Sequence, residues 1–184
     1  MLYYDLGSPY AFLAVERAGS VLGVTPELRP LLLGAIFARC GHGSWALTDA
    51  REARMAEVER RARRYGLPPV RWPPGWPPNT LAAMRAATWA HALGGGAGER
   101  FARLAFRRAF LEAGDLGDPE VLAGVAQAAG LDPEEMARAI ADPEVKQRLR
   151  RVTDDAWDRG VRGVPTLVVD GALFYGDDRL EDAV

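Results

Sequence analysis

The chain has 184 residues, enough for one well-packed domain or a domain with an insertion. A formal net charge of −2, with 48% hydrophobic and 26% charged residues, gives no pull toward nucleic acid or an anionic membrane surface. No apolar run approaches the roughly 20 residues of a membrane span, and Met1-Leu2-Tyr3-Tyr4-Asp5 lacks a signal peptide's basic start, so a cytoplasmic protein without membrane or nucleic-acid partners is expected.

The first element is an apolar strand, Met1 to Leu6, broken at Gly7. Ser8-Pro9-Tyr10-Ala11 then starts a helical pattern carried by Phe12, Leu13, Val15, Ala18 and Val21. Serine is a favoured N-cap and proline suits the first helical position. Ser8 is therefore expected on a helix N-terminus, its hydroxyl exposed at the end of a strand. Free backbone N–H groups and the helix dipole stabilise an anion there, a thiolate included. The plainer reading of Ser8 is an N-cap and nothing more.

A second strand, Glu27 to Leu33, completes a βαβ unit, which favours a parallel pair. Cys40 is the only cysteine, which excludes an intrachain disulfide and a cysteine-based zinc site. It reads as a small buried hydrophobe. Neither His42 nor His91 has metal-ligand spacing, and no metal is expected. Asp49 to Arg64 interleaves acids and arginines around Met55 and Val58. A solvated helix face with i,i+4 pairs explains this better than a nucleic-acid patch.

Leu67 to Pro78 is a proline-rich, extended connector holding Trp72 and Trp76. These tryptophans are packing residues or the wall of an aromatic substrate pocket between subdomains. Asn79 or Thr80 caps a helix that runs to about Leu93, with His91 structural, and Gly94-Gly95-Gly96 ends it. Phe101, Leu104, Ala105, Phe106 and Phe110 mark the next helix. Asp118-Pro119-Glu120, Asp132-Pro133-Glu134 and Asp142-Pro143-Glu144 each announce another, with Gly130 and Gly160 as stops. Gly163-Val164-Pro165-Thr166 then enters a strand, Leu167-Val168-Val169. Asp170-Gly171 is a two-residue hairpin turn, Ala172 to Tyr175 returns, and a short final helix begins.

The fold class is α/β: a thioredoxin-like βαβ and ββα pair of halves, residues 1–44 and 156–184, with an all-helical insertion at 45–155. Asp5-Leu6-Gly7-Ser8-Pro9-Tyr10, Arg29-Pro30-Leu31-Leu32-Leu33-Gly34, Pro78-Asn79-Thr80-Leu81-Ala82-Ala83-Met84-Arg85, Gly160 to Thr166 and Gly176-Asp177-Asp178-Arg179 recur in a specific order. In these stretches the chain resembles the kappa-class glutathione transferase branch of the DsbA-like superfamily, and within it the 2-hydroxychromene-2-carboxylate isomerases. Redox members carry Cys-x-x-Cys where Ser8-Pro9-Tyr10-Ala11 stands, so protein thiol–disulfide exchange is excluded at this position.

The resemblance implies a glutathione cofactor whose sulfur is held by Ser8, with Pro9 and Tyr10 beside it. It implies Val164, before a cis Pro165, as the backbone clamp on the cysteinyl unit, and Asp177 and Asp178 as receivers of the γ-glutamyl ammonium. It further implies isomerisation of a small aromatic carboxylate in aromatic-compound catabolism, and a homodimer. Trp72, Trp76 and Asn79 would line the substrate pocket. Two positions depart from the family pattern: His42 stands where asparagine usually helps bind glutathione, and Arg51 stands near a family lysine. A glutathione transferase that conjugates an electrophile, and a non-redox thioredoxin-like peptide-binding module, are the alternative readings.

Overall fold

The computed structural model describes all residues, 1–184. Local chemistry fixes four of the eight α-helix starts. The Ser8 hydroxyl accepts from Ala11 N–H at the head of α1 (Pro9–Leu22). Asp118, Asp132 and Asp142 accept first-turn N–H groups at the heads of α6 (Pro119–Ala128), α7 (Pro133–Ala141) and α8 (Pro143–Asp158). Each has proline at its start, as the repeated motif predicts.

Four short strands form one mixed sheet in the order β2-β1-β3-β4. β1 (Leu2–Tyr4) runs parallel to β2 (Leu28–Pro30), across α1 as crossover. It runs antiparallel to β3 (Thr166–Val169), which pairs with β4 (Ala172–Tyr175) through the expected hairpin. Asp170 and Gly171 hold φ of 48° and 84° in that turn, a left-handed pair that aspartate and glycine tolerate.

Between the strand halves lie α3 (Arg51–Arg64), α4 (Leu81–Leu93), α5 (Ala97–Phe110), α6, α7 and α8. The block is welded to the sheet by aromatic packing. Phe106 stands 5.7 Å from the Tyr4 ring and 6.3 Å from Phe12, and Phe110 stands 5.4 Å from Phe12. All four rings are buried. The His91 Nε2 lies 3.1 Å from Tyr4 Oη, and burial pushes its pKa down.

Three expectations need correction. The second strand ends at Pro30, and Leu33 begins a helix, α2 (Leu33–Cys40). Cys40 is half-buried, not enclosed. After β4 the chain makes only two 3-10 turns, Asp177–Arg179 and Glu181–Ala183.

Candidate functional site

The turn before α1 is held by Asp5. Its Oδ1 accepts from Gly7 N–H at 2.8 Å, its Oδ2 accepts from Leu33 N–H at 2.9 Å, and its carbonyl accepts from Ser8 N–H. The Thr80 hydroxyl adds a longer contact of 3.4 Å. One carboxylate thus ties the end of β1, the head of α2 and the residue before α4 to the Ser8 turn. Burial raises the Asp5 pKa, against these hydrogen bonds.

Ser8 itself is 5% exposed, so its hydroxyl is recessed rather than open to solvent as expected. Helix formation around it encloses the side chain. Its oxygen accepts from Ala11 N–H at 3.2 Å, and its own O–H donates to no protein group. Tyr10 N–H, in the first turn, also has no partner. The helix start therefore offers two unspent donors aimed from a positive dipole end.

The antiparallel register places Tyr3 opposite Thr166. Continuing it sets Pro165 and Val164 beside Tyr4 and Asp5, next to the Ser8 turn. The Val164–Pro165 bond is cis. Val164 is buried, and no protein group hydrogen-bonds to its N–H or its C=O. A backbone pair left without partners in a buried residue is uncommon. Gly163 permits close cover of this loop: a Cβ there would lie 2.6 Å from the Tyr175 ring.

A charged corner adjoins the helix start through Tyr10, whose hydroxyl donates to Glu57 Oε2 at 3.2 Å. Glu57 pairs with Arg61 at 2.7 Å, and Arg61 reaches Asp177 at 2.7 Å and Asp178 at 3.1 Å. Tyr65 Oη donates to the second Asp177 oxygen at 2.9 Å, and Arg17 donates to the Asp177 carbonyl at 2.8 Å. Burial pushes the Asp177 carboxyl up, with Arg61 and Tyr65 pulling it back. For Arg61 burial acts downward, but Asp177, Glu57 and Asp178 outweigh it and hold its pKa above the ordinary value.

Asp177 is thus 1% exposed with both oxygens engaged, whereas the Asp178 side chain stays 42% exposed. The two neighbours do not stand equivalent toward solvent. A recess of about 410 Å³ opens beside Asp178, lined by Glu57, Arg60, Arg61 and Arg64.

An aromatic line completes the surroundings. The Tyr10 ring lies 6.0 Å from Trp45, Trp45 lies 5.2 Å from Trp76, and Trp76 lies 4.8 Å from Trp72. Trp72 Nε1 donates to Glu59, while the buried Trp76 Nε1 has no partner. Arg51 donates to the Trp76 carbonyl at 2.8 Å and pairs with Glu52, so its guanidinium is partly committed. His42 is exposed on the loop after α2, with its ring 5.0 Å from Phe37 and no contact to the Ser8 group. Asn79 is exposed and accepts from Leu81 N–H at the head of α4, a local turn rather than a contact with the tryptophans.

Glu57, Arg61 and Tyr65 were not singled out from the sequence. Their i, i+4, i+8 spacing beside the buried Val58 and Ala62 is the signal: this stripe of α3 faces inward, where a solvated face was expected.

The family model for the DSBA-like thioredoxin domain matches residues 1–184. The chain belongs to the DSBA-like thioredoxin family. Among its relatives, human glutathione S-transferase kappa 1 is 28% identical, across 98% of this chain and 86% of that protein. The 2-hydroxychromene-2-carboxylate isomerase of Sphingobium xenophagum is 27% identical, across 97% of this chain and 92% of that protein. A solved 2-hydroxychromene-2-carboxylate isomerase superposes with a TM-score of 0.85 at 21% identity, covering 97% of this chain and 89% of that one. A probable DsbA oxidoreductase of Streptomyces coelicolor superposes at 0.74 and 22% identity, covering 98% and 84%. These superpositions establish the DsbA-like fold.

Proposed function

We propose that this protein is a glutathione-dependent enzyme that isomerises a small aromatic carboxylate of the 2-hydroxychromene-2-carboxylate type to its ring-opened trans-o-hydroxybenzylidenepyruvate form. The observation that carries the reading is the pairing of unspent groups at the head of α1 and in the cis-proline loop: the Ser8 hydroxyl proton and the partnerless N–H and C=O of the buried residue Val164. A peptide-like thiol matches both, with its backbone on Val164 and its sulfur on Ser8.

The remaining contacts follow from charge. Asp178 and the arginine-lined recess suit the ammonium and carboxylate of a γ-glutamyl end, with Asp177 acting behind them to hold Arg61. Pro9 and Tyr10 shape the sulfur subsite, Arg51 stands beyond it on the Trp76 carbonyl, and the tryptophan line bounds the aromatic substrate. When bound, glutathione supplies a thiolate that adds reversibly to the substrate and leaves unchanged. Ser8 lowers the thiol's pKa from about 8.5 by donating to the sulfur while its oxygen is polarised by Ala11 N–H. The same reading divides the chain into a thioredoxin-like unit, 1–44 and 156–184, and an inserted unit, 45–155, and assembles it as a cytoplasmic homodimer.

A second reading, a transferase that releases a glutathione adduct, is favoured by the kappa relative's equal similarity. Incubation with the chromene carboxylate separates the two by counting glutathione. Isomerisation that needs glutathione yet leaves its amount constant supports the isomerase. Stoichiometric loss of the thiol supports the transferase. Isomerisation at the same rate without glutathione contradicts both.

A further inference from the structure

Apart from the Ser8 site, a cavity of about 350 Å³ lies between α2, α4 and α8. Its floor is aliphatic: Leu32, Ala35, Leu81 and Leu149. Four cations also line it, the half-buried Arg85 and the exposed Arg39, Lys146 and Arg150, against one acid, Asp154. Arg39 is neutralised by its ion pair with Asp154. Arg85, Lys146 and Arg150 pair with no carboxylate anywhere in the protein.

Two details set this apart from an ordinary solvated basic face. Arg85 Nε is buried without any partner, and one of its terminal nitrogens reaches only the Ile140 carbonyl, at 3.3 Å. Arg85 lines the cavity, and its guanidinium, with one weak carbonyl contact and no carboxylate, keeps donor capacity that no protein group uses. Lys146 and Arg150 stand one turn apart on α8 and both line the recess, a like-charge i,i+4 arrangement that is destabilising without a counter-charge. Three uncompensated cations call for more than one negative charge. The aliphatic floor, which includes the 38%-exposed Leu81, calls for an apolar body.

We propose that this cavity binds a small organic dianion with an apolar body, an aryl phosphate or an aryl dicarboxylate, independently of the thiol site. Arg85 contacts the anionic head from within, Lys146 and Arg150 close on it from the rim, and the ring lies on Leu32, Leu81 and Leu149.

The test is calorimetric titration of the full chain with phenyl phosphate, with phthalate and with inorganic phosphate. At least one aryl dianion is expected to bind one per chain, at least tenfold more tightly than inorganic phosphate. The tighter of the two identifies the head group. The surface double variant Lys146→Glu, Arg150→Glu is expected to weaken it at least tenfold, and saturating glutathione to leave it unchanged. Because Lys146 is the only lysine, its acylation, read by mass spectrometry, is expected to slow when the aryl dianion is present. The proposal is overturned if neither aryl probe binds, if inorganic phosphate binds equally well, if the double variant binds undiminished, or if glutathione displaces the probe.

Discussion

At the head of α1 the polar groups are left open, whereas at the Asp177 corner they are closed. Ser8 keeps an unspent hydroxyl proton, and Val164 keeps an unspent N–H and C=O, though both residues are buried. Asp177 is equally buried, but Arg61, Tyr65 and Arg17 saturate it. Unmatched buried groups carry a desolvation cost that a ligand recovers, and matched ones brace the scaffold. The difference separates residues that touch a ligand from residues that hold the site in shape, even when both are polar and close together.

The closed corner breaks most severely. Arg61→Ala strands the Asp177 charge in a buried position, and a loss of about 3 kcal/mol is expected in urea unfolding. A variant as stable as the parent would contradict the bracing role. At the open site the effect falls on chemistry. Ser8→Ala is expected to lower turnover by about 100-fold while costing about 1 kcal/mol of stability through the lost cap. Between the two carboxylates the contrast sharpens further. Asp178→Asn is expected to weaken glutathione binding by about tenfold, the loss of one charge-assisted contact, with unfolding unchanged. A stability loss like that of Arg61→Ala would instead place Asp178 among the braces.

A smaller effect separates the scaffold by pH. The folded pKa of His91 lies below its ordinary value of about 6.5 because burial disfavours the imidazolium. As pH falls from about 6.5 the unfolded chain takes up this proton first, so stability declines across that window until the folded pKa is passed. His91→Gln is expected to flatten that decline in thermal melts. A decline of the same depth in the variant would assign it elsewhere. Least of all, the exposed Arg138–Glu134 pair, at 3.8 Å, lies outside both corners, and Arg138→Ala is expected to change unfolding by less than about 0.5 kcal/mol.

What could be read from the sequence was what is local. Ser8, the three Asp-Pro-Glu caps and the Asp170-Gly171 turn determine their elements with neighbours a few residues away. α2 was hidden because Leu32 caps it without a side-chain bond, and the Leu33 N–H is met by Asp5 from a distant part of the chain. Leu31-Leu32-Leu33 therefore reads as a continuing strand. The inward stripe of α3 was hidden for the same reason, since Arg61 finds Asp177 from 116 residues away. Ser8 and Val164 were legible as candidates. That they stay unpartnered, and that Asp177 does not, is a property of packing alone.

The most direct measurement is calorimetric titration of glutathione into the parent and the Ser8→Ala variant, in buffers of different ionisation heat at neutral and alkaline pH. The open-site account predicts saturable binding with a proton released at neutral pH, little release at alkaline pH where the free thiol is already ionised, and loss of the neutral-pH release in the variant. Binding without proton release, or the same release in both proteins, would contradict a thiolate held by Ser8.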